Sequence, residues 1–478
     1  MNILLQSKNL KDYEGNVIFL YGDEVADKAL PLRKDEILYL KNQRTADKHS
    51  MVAFDRLPYK IYVQNFDSEA DAPVSQEKLR KAAAELQLLL SKAKQSEVYL
   101  TGEGVLPEEV MAMVEGLELS NYRFDKYKSK KDFRVETLFV DDRLLKESDI
   151  ETNKVLWKWV CSCRDWVNEP VMALNADQLA SQIKDHAVAL NVECEVFGKG
   201  QIASMKMGGL SAVNKGSVDE PRFVVLNYHP KDAVNKAPLA LVGKGITYDT
   251  GGLNIKPDDY MQEMKTDMAG AATMASVVLA AAENHLPVWT MAFLPMTDNR
   301  PGFNAYAADD IITMYDGTTV EVVNTDAEGR IILADAIAYA NQYNPEVIID
   351  CATLTGAAVR AIGTIGIAAM HQKADNAMRL LKIVSHQVYE RVAELPFWEE
   401  YDELIKSEVA DIKNCSDAAG AITAGKFLAH FAKSPYIHLD IAGVAYYAKR
   451  EHFYGTGASG FGVRLLYAFM QTYDMIEK

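Results

Sequence analysis

Two short runs hold the densest concentration of residues able to do chemistry. They are Gly-Lys-Gly-Ile-Thr-Tyr-Asp-Thr-Gly-Gly, from Gly243 to Gly252, and Asn-Thr-Asp-Ala-Glu-Gly-Arg, from Asn324 to Arg330. Each sets carboxylates beside cations in a glycine-bearing turn next to an apolar segment, the arrangement in which an enzyme holds metal ions. Glycines 243, 245, 251 and 252 permit a tight backbone path that leaves Lys244 and Asp249 facing a common cavity. Lys256 follows, then Asp267 just before a small-residue helix running to about Ala282. Asp326, Glu328 and Arg330 precede another helix through Ile331, Ile332, Ala334 and Ala338. Four acids and three cations are thus expected to meet in one place.

Taken singly, each residue has a plainer reading. An Asp before a helix is more often an N-cap than a ligand, which covers Asp267 and Asp326. A lone lysine such as Lys256 is usually solvated. The pair Gly251-Gly252 reads as a turn, and Gly243-Lys244-Gly245 lacks the spacing of a phosphate-binding loop. Met264 and Met268 read as core. What these readings leave unexplained is the joint pattern of acids and bases at strand ends within one domain.

The elements that position these residues are legible in outline. Residues 1–150 alternate short β-rich runs (17–21, 37–40, 60–64, 97–100) with helical stretches, the clearest being 76–94, where Leu79, Ala82, Ala83, Leu86, Leu89 and Leu90 recur at helical spacing. This predicts a small N-terminal α/β domain, in which the lysines 126, 128, 130 and 131 read as a solvated face. Residues 151–167, with Trp157, Trp159 and Trp166, read as a helix stopped at Asn168-Glu169-Pro170. Residues 151–174 are therefore taken as the connection between domains. Over 175–478, amphipathic helices alternate with buried-type strands at 222–227, 239–243, 288–294, 346–351 and 436–441. That alternation predicts a larger α/β domain with a mostly parallel central sheet flanked by helices. Ligands on such sheets sit beyond the carboxyl ends of strands, where both motifs fall.

Composition narrows the class. The 478 residues are 49% hydrophobic and 25% charged, the balance of a soluble globular protein of about two domains. A net charge of -16 disfavours nucleic acid and anionic membranes as partners. Five cysteines without C-x-x-C spacing fit a reducing compartment. The start lacks the layout of a secretory signal and no run reaches membrane-spanning length, so a cytoplasmic location is expected.

Residues 242–255, 264–273, 324–330, 352–357 and 454–466 resemble the leucyl aminopeptidases, also called cytosol aminopeptidases. The Asn324 to Arg330 run is highly specific for that family, whereas the first 150 residues fit it loosely. The resemblance implies a metallo-aminopeptidase that hydrolyses the first peptide bond of peptides with a free N-terminus, preferably after leucine or a similar apolar residue. It implies two divalent ions, zinc or manganese, with magnesium and cobalt as alternatives. Lys244, Asp249, Asp267 and Glu328 would hold one ion, and Asp249, Asp326 and Glu328 the other. Two ions roughly 3.5–4 Å apart need such bridging oxygens, and a water shared between them is the implied nucleophile. Lys244 as a ligand must lose its proton, at a cost of about 4–5 kcal/mol at pH 7 that metal binding has to offset. Lys256 and Arg330 would be catalytic, the first polarising the scissile carbonyl and the second holding a bicarbonate ion as general base. Met264, Thr353, Leu354 and Gly356 would line the first-residue pocket, and the assembly would be a homohexamer.

The sequence departs from the family pattern at Ile331, at Ala305-Tyr306-Ala307-Ala308-Asp309-Asp310 and at Asn168-Glu169-Pro170-Val171, so those two loops are expected to differ in shape. Two other classes share these residue types. A two-metal phosphoesterase would turn over phosphate esters and not amides, and a non-enzymatic DNA-binding regulator would bind duplex DNA with strong salt dependence.

Overall fold

Charge-poor runs such as Leu-Ala-Leu-Val-Gly and Tyr-Ile-His-Leu-Asp persist as strands only where both faces of a sheet are covered. The computed structural model describes residues 1–10, 13–22, 25–46, 51–56, 59–66 and 71–476. It divides into two compact units, 1–157 with 449–455 and 158–448 with 456–478.

The first unit is built on strands β1 (Asn2–Leu5), β2 (Val17–Gly22), β3 (Val52–Arg56), β4 (Tyr59–Phe66), β5 (Glu97–Glu103) and β6 (Thr137–Val140). Their order is β1-β6-β5-β2-β4-β3, parallel except where β3 pairs with β4. The helix Ala72–Lys92 buries Leu79, Ala83, Leu86 and Leu90, whereas Leu89 of the expected stripe is exposed. Residues 37–40 are not a strand. They lie in the helix Lys34–Ala46, where Glu36 and Leu40, one helical turn apart, are buried. A four-residue apolar run carries no period of its own, which is why it misleads. The lysine run 126–131 is exposed, as expected. The turn His452–Tyr454 is the late contribution to this unit, packing on the helices Ala72–Lys92 and Pro107–Asn121 with Phe453 fully buried.

The second unit contains β7 (Glu193–Phe197), β8 (Arg222–Tyr228), β9 (Leu239–Gly243), β10 (Gly245–Asp249), β11 (Thr290–Asn299), β12 (Ile311–Thr313), β13 (Thr319–Glu321), β14 (Val347–Ala352), β15 (Ile367–Gln372), β16 (Val392–Glu394), β17 (Ile412–Lys413) and β18 (Tyr436–Asp440). Nine of them form one sheet in the order β16-β15-β18-β14-β9-β11-β8-β7, with β10 pairing β11. Strands β18, β14, β9, β11 and β10 run parallel, while β8 is antiparallel to β11 and β15 to β18. The mostly parallel sheet inferred from βα alternation is therefore present, with antiparallel strands at its edges. Strand β10 has no counterpart in the sequence reading. It is short, and its register against β11 shifts between Ile246 and Asp249.

Two helices sandwich the centre. Ala240 and Val242 pack into the core cluster that contains Ile331, Ile332, Ala334 and Ile337 of the helix Glu328–Ala340. Alternation turns Leu239, Leu241 and Gly243 to the opposite face, where the helix Ala269–Glu283, buried from end to end but for Glu283, lies against β9, β11 and β14. The sheet thus delivers Lys244, Asp249, Asn299, Thr353 and Asp440 at or just past the carboxyl ends of β9, β10, β11, β14 and β18. Among the described residues no helix is long and apolar enough to cross a membrane. Ile349, fully buried in β14, tests how much the central sheet contributes. Ile349→Ala is expected to cost about 2–5 kcal/mol, read as a lowered unfolding midpoint of the second unit in denaturant.

Candidate metal centre

Two loops build the site and are stitched to each other. Thr325 donates its hydroxyl to the Gly251 carbonyl at 2.6 Å and accepts from Asn254 N at 2.8 Å, while Asn254 Oδ1 accepts from Thr325 N at 2.9 Å. Gly251 and Gly252 take positive φ to make the turn after β10. Tyr306, buried in the loop expected to depart from the family, donates to the Thr325 carbonyl at 2.8 Å. From the other side Asn414 accepts from Val323 N at 2.7 Å and donates to the Asn324 carbonyl at 2.7 Å.

Within this frame the acids converge. One carboxylate oxygen from each of Asp249, Asp326 and Glu328 lies within 4.8 Å of the others. Lys256 Nζ sits 2.8 Å from Asp249 Oδ2 and 2.5 Å from Asp326 Oδ1. Lys244 Nζ donates to Asp267 Oδ1 at 2.7 Å and to the Thr353 carbonyl at 2.9 Å, and forms an ion pair with Glu328 Oε1 at 3.1 Å. Asp267 Oδ1 also accepts from the Thr353 hydroxyl at 2.7 Å. Asp267 Oδ2 and Asp326 Oδ1 are buried with a lysine at ion-pair distance but without hydrogen-bond geometry.

Burial works against both ammonium groups, but the facing carboxylates outweigh it. Asp267, Glu328 and Asp249 hold Lys244 above the ordinary lysine range, and Asp249, Glu328 and Asp326 do the same for Lys256. Burial pushes the Asp267 and Asp326 carboxyls up, and neighbouring acids add to it. Four carboxylates face two ammonium groups, so two negative charges are left over in a cluster that is buried except at the partly exposed Asp326, which suits divalent cations held by oxygen.

The structure gathers nearly every residue singled out from the sequence. Lys244, Asp249, Lys256, Asp267, Asp326 and Glu328 line one cavity of about 460 Å³, and Met264, Thr353, Leu354 and Gly356 line it too. Arg330 does not reach that wall. It is buried behind it, donating from Nη1 to the Asn414 carbonyl at 2.7 Å, with Nε making no hydrogen bond. The plainer readings fail at four places. Lys256 is largely buried, and neither Asp267 nor Asp326 is a helix N-cap, since Met268 and Ala327 hold those positions without side-chain caps. Met264 is pocket wall, whereas Met268 is core. Sequence reasoning missed Thr325, Asn299, Asn414 and Tyr306, and the cavity residues Val359, Ala442, Ala445 and Tyr446. Thr325 alone had a local signal, its place inside the acidic run.

The sequence matches "Cytosol aminopeptidase family, catalytic domain" over residues 161–467 and "Cytosol aminopeptidase family, N-terminal domain" over 68–131. The chain belongs to the cytosol aminopeptidase family. It is 40% identical over 423 residues to a probable cytosol aminopeptidase of Chlorobium limicola, covering 83% of each chain. It is 44% identical over 379 residues to that of Chlorobaculum tepidum, covering 75% of each. Among solved structures it resembles the bottromycin maturation enzyme BotP in complex with Mn (TM-score 0.85, 28% identity, 96% of this chain and 99% of that one). It also resembles a mutant of tomato leucine aminopeptidase (TM-score 0.86, 26% identity, 98% and 96%). The resemblance seen in the two acidic runs is thus a membership, and the chain is a metallopeptidase with an acidic metal-binding cluster.

In this chain the glycine of the acidic run has a steric reason. A Cβ on Gly329 would lie 2.3 Å from Lys244 Cε and 2.7 Å from Nζ. The far end of the lysine would move and the fold would survive. Gly329→Ala is therefore expected to cost no more than about 1–3 kcal/mol in thermal unfolding of the chelated protein, yet to weaken Mn²⁺ binding measured by calorimetry.

Proposed function

We propose that this chain removes the amino-terminal residue, preferably leucine or a similar apolar one, from peptides, using two divalent ions in the cavity at the carboxyl ends of β9, β10 and β14. The observation that carries the reading is the cluster itself, in which four carboxylates from two stitched loops and the start of the Ala269–Glu283 helix share a buried space with only two lysines. Lys244, Asp249, Asp267 and Glu328 would hold one ion and Asp249, Asp326 and Glu328 the other, with manganese and zinc the best matches and magnesium or cobalt acceptable to the same oxygens. Bound there, such ions supply Lewis acidity and lower the pKa of water towards about 7.

The chain's own residues do the rest. Lys256 remains an ammonium, held above its ordinary range by Asp249, Glu328 and Asp326 despite burial, and stabilises negative charge developing on the scissile carbonyl. Met264, Leu354 and Gly356 shape the pocket for the first side chain, and Thr353 fixes Lys244 and Asp267 at its edge. Arg330 stands at the start of the Glu328–Ala340 helix with Nε free, which supports binding of an anion such as bicarbonate as the proton acceptor. A homohexamer in the cytoplasm is the setting that the family resemblance and the relatives' naming favour.

Release of leucine from leucinamide, assayed after chelation and again with Mn²⁺ or Zn²⁺ restored, tests this reading. Metal-dependent cleavage with no cleavage of N-acetyl-leucinamide is the expected result, and hydrolysis of phosphate esters in place of amides would overturn it. Lys256→Ala is expected to lower kcat about 10²–10³-fold. Arg330→Ala should lower it about a hundredfold, and turnover unchanged in that variant would remove the anion from the mechanism.

A further inference from the structure

Asn299 ends β11 with its side chain completely buried, at the one point where the two site loops and two of the carboxylates come together. Its Nδ2 donates to Asp249 Oδ1 at 2.9 Å and to the Thr325 carbonyl at 3.0 Å, and lies 3.5 Å from Glu328 Oε2. Asp249 Oδ1 accepts a second bond from Gly251 N at 2.9 Å. Both of these donors point at the same oxygen, so Oδ2, the oxygen beside Lys256, is the one left for a cation.

Lys256 bridges Asp249 and Asp326 as a cation on Asp249 Oδ2, whereas Asn299 is the neutral side chain that ties Asp249 Oδ1 to the loop carrying Asp326 and Glu328. Without it, Asp249 Oδ1 keeps only the bond from its own turn, and the repulsion between Asp249 and Glu328 is no longer opposed by a donor on that side. An aspartate of the same shape would place a further negative charge 2.9 Å from Asp249 Oδ1, so the amide is the group that the position requires. Its own Oδ1 makes no hydrogen bond and lies where a Cβ on Gly252 would come within 2.8 Å, which leaves the side chain little freedom to turn.

We propose that Asn299 is a positioning residue that sets the spacing between Asp249 and Glu328, and through it the affinity for the shared metal ions. The proposal rests on the two-metal reading above. Groups that orient metal ligands from behind change metal affinity or activity by about 10- to 100-fold when removed. A residue acting this way is rescued by excess metal, and one needed only for folding is not.

The test uses the full chain, stripped with a chelator and titrated with MnCl₂ by calorimetry. Asn299→Leu keeps the branched shape without a donor, and Asn299→Ser keeps a hydroxyl that is too short to reach. Both are expected to bind Mn²⁺ about 10- to 100-fold more weakly, and their leucinamide turnover should climb back towards wild type as Mn²⁺ is raised, with KM for leucinamide within about twofold of it. If either folded variant binds Mn²⁺ as wild type does, or if lost turnover does not return with excess Mn²⁺, the positioning role is overturned. Failure of the wild-type protein to take up Mn²⁺ would instead overturn the metal reading, and this proposal with it.

Discussion

Repulsion among four carboxylates in a buried space is the constraint around which the second unit is arranged. Unit charges a few ångströms apart interact by several kcal/mol at the effective dielectric of a protein interior, so Asp249, Asp267, Asp326 and Glu328 stay together only if cations and donors oppose them. Lys244 and Lys256 supply the charge, each bridging acids from different segments. Backbone N–H groups and the amide of Asn299 supply the donors. The sheet contributes by refusing to give way. Strands β9, β14 and β18 are fully buried, and helices close both faces.

The same constraint explains why the site is assembled from distant pieces. Here the carboxyl ends of parallel strands deliver one group each, and the turns between them are cross-tied by Thr325 and Asn414. Arg330 is held one layer back, its guanidinium on the Asn414 carbonyl. Orientation of that arginine and closure of the acidic loop therefore depend on one asparagine.

Much of this was legible in the chain. The runs at Gly243 to Gly252 and Asn324 to Arg330 stand out because acids, cations and glycines coincide, and the buried strands stand out because they lack charge. The metal and pocket residues named from sequence converge on one cavity. The unread parts fall into two physical kinds. Residues 37–40 and the short strand β10 are too brief for periodicity to declare their type. Asn299, Asn414 and Tyr306 act across tens of residues of chain, on partners 50, 90 and 19 positions away, and an asparagine or tyrosine carries no local mark of such a contact.

The return of residues 449–455 to the first unit bears on how the protein is made. Phe453 and its turn complete a core whose other parts are all encoded before residue 158. On the ribosome that unit stays one piece short until almost the whole chain has emerged, so it cannot finish folding ahead of the unit that carries the metal centre. For the same reason no single cut separates the two units. Excising the first at residue 157 would leave it without the segment that closes it, and would leave the second with a loop whose buried aromatic residue has lost its seat.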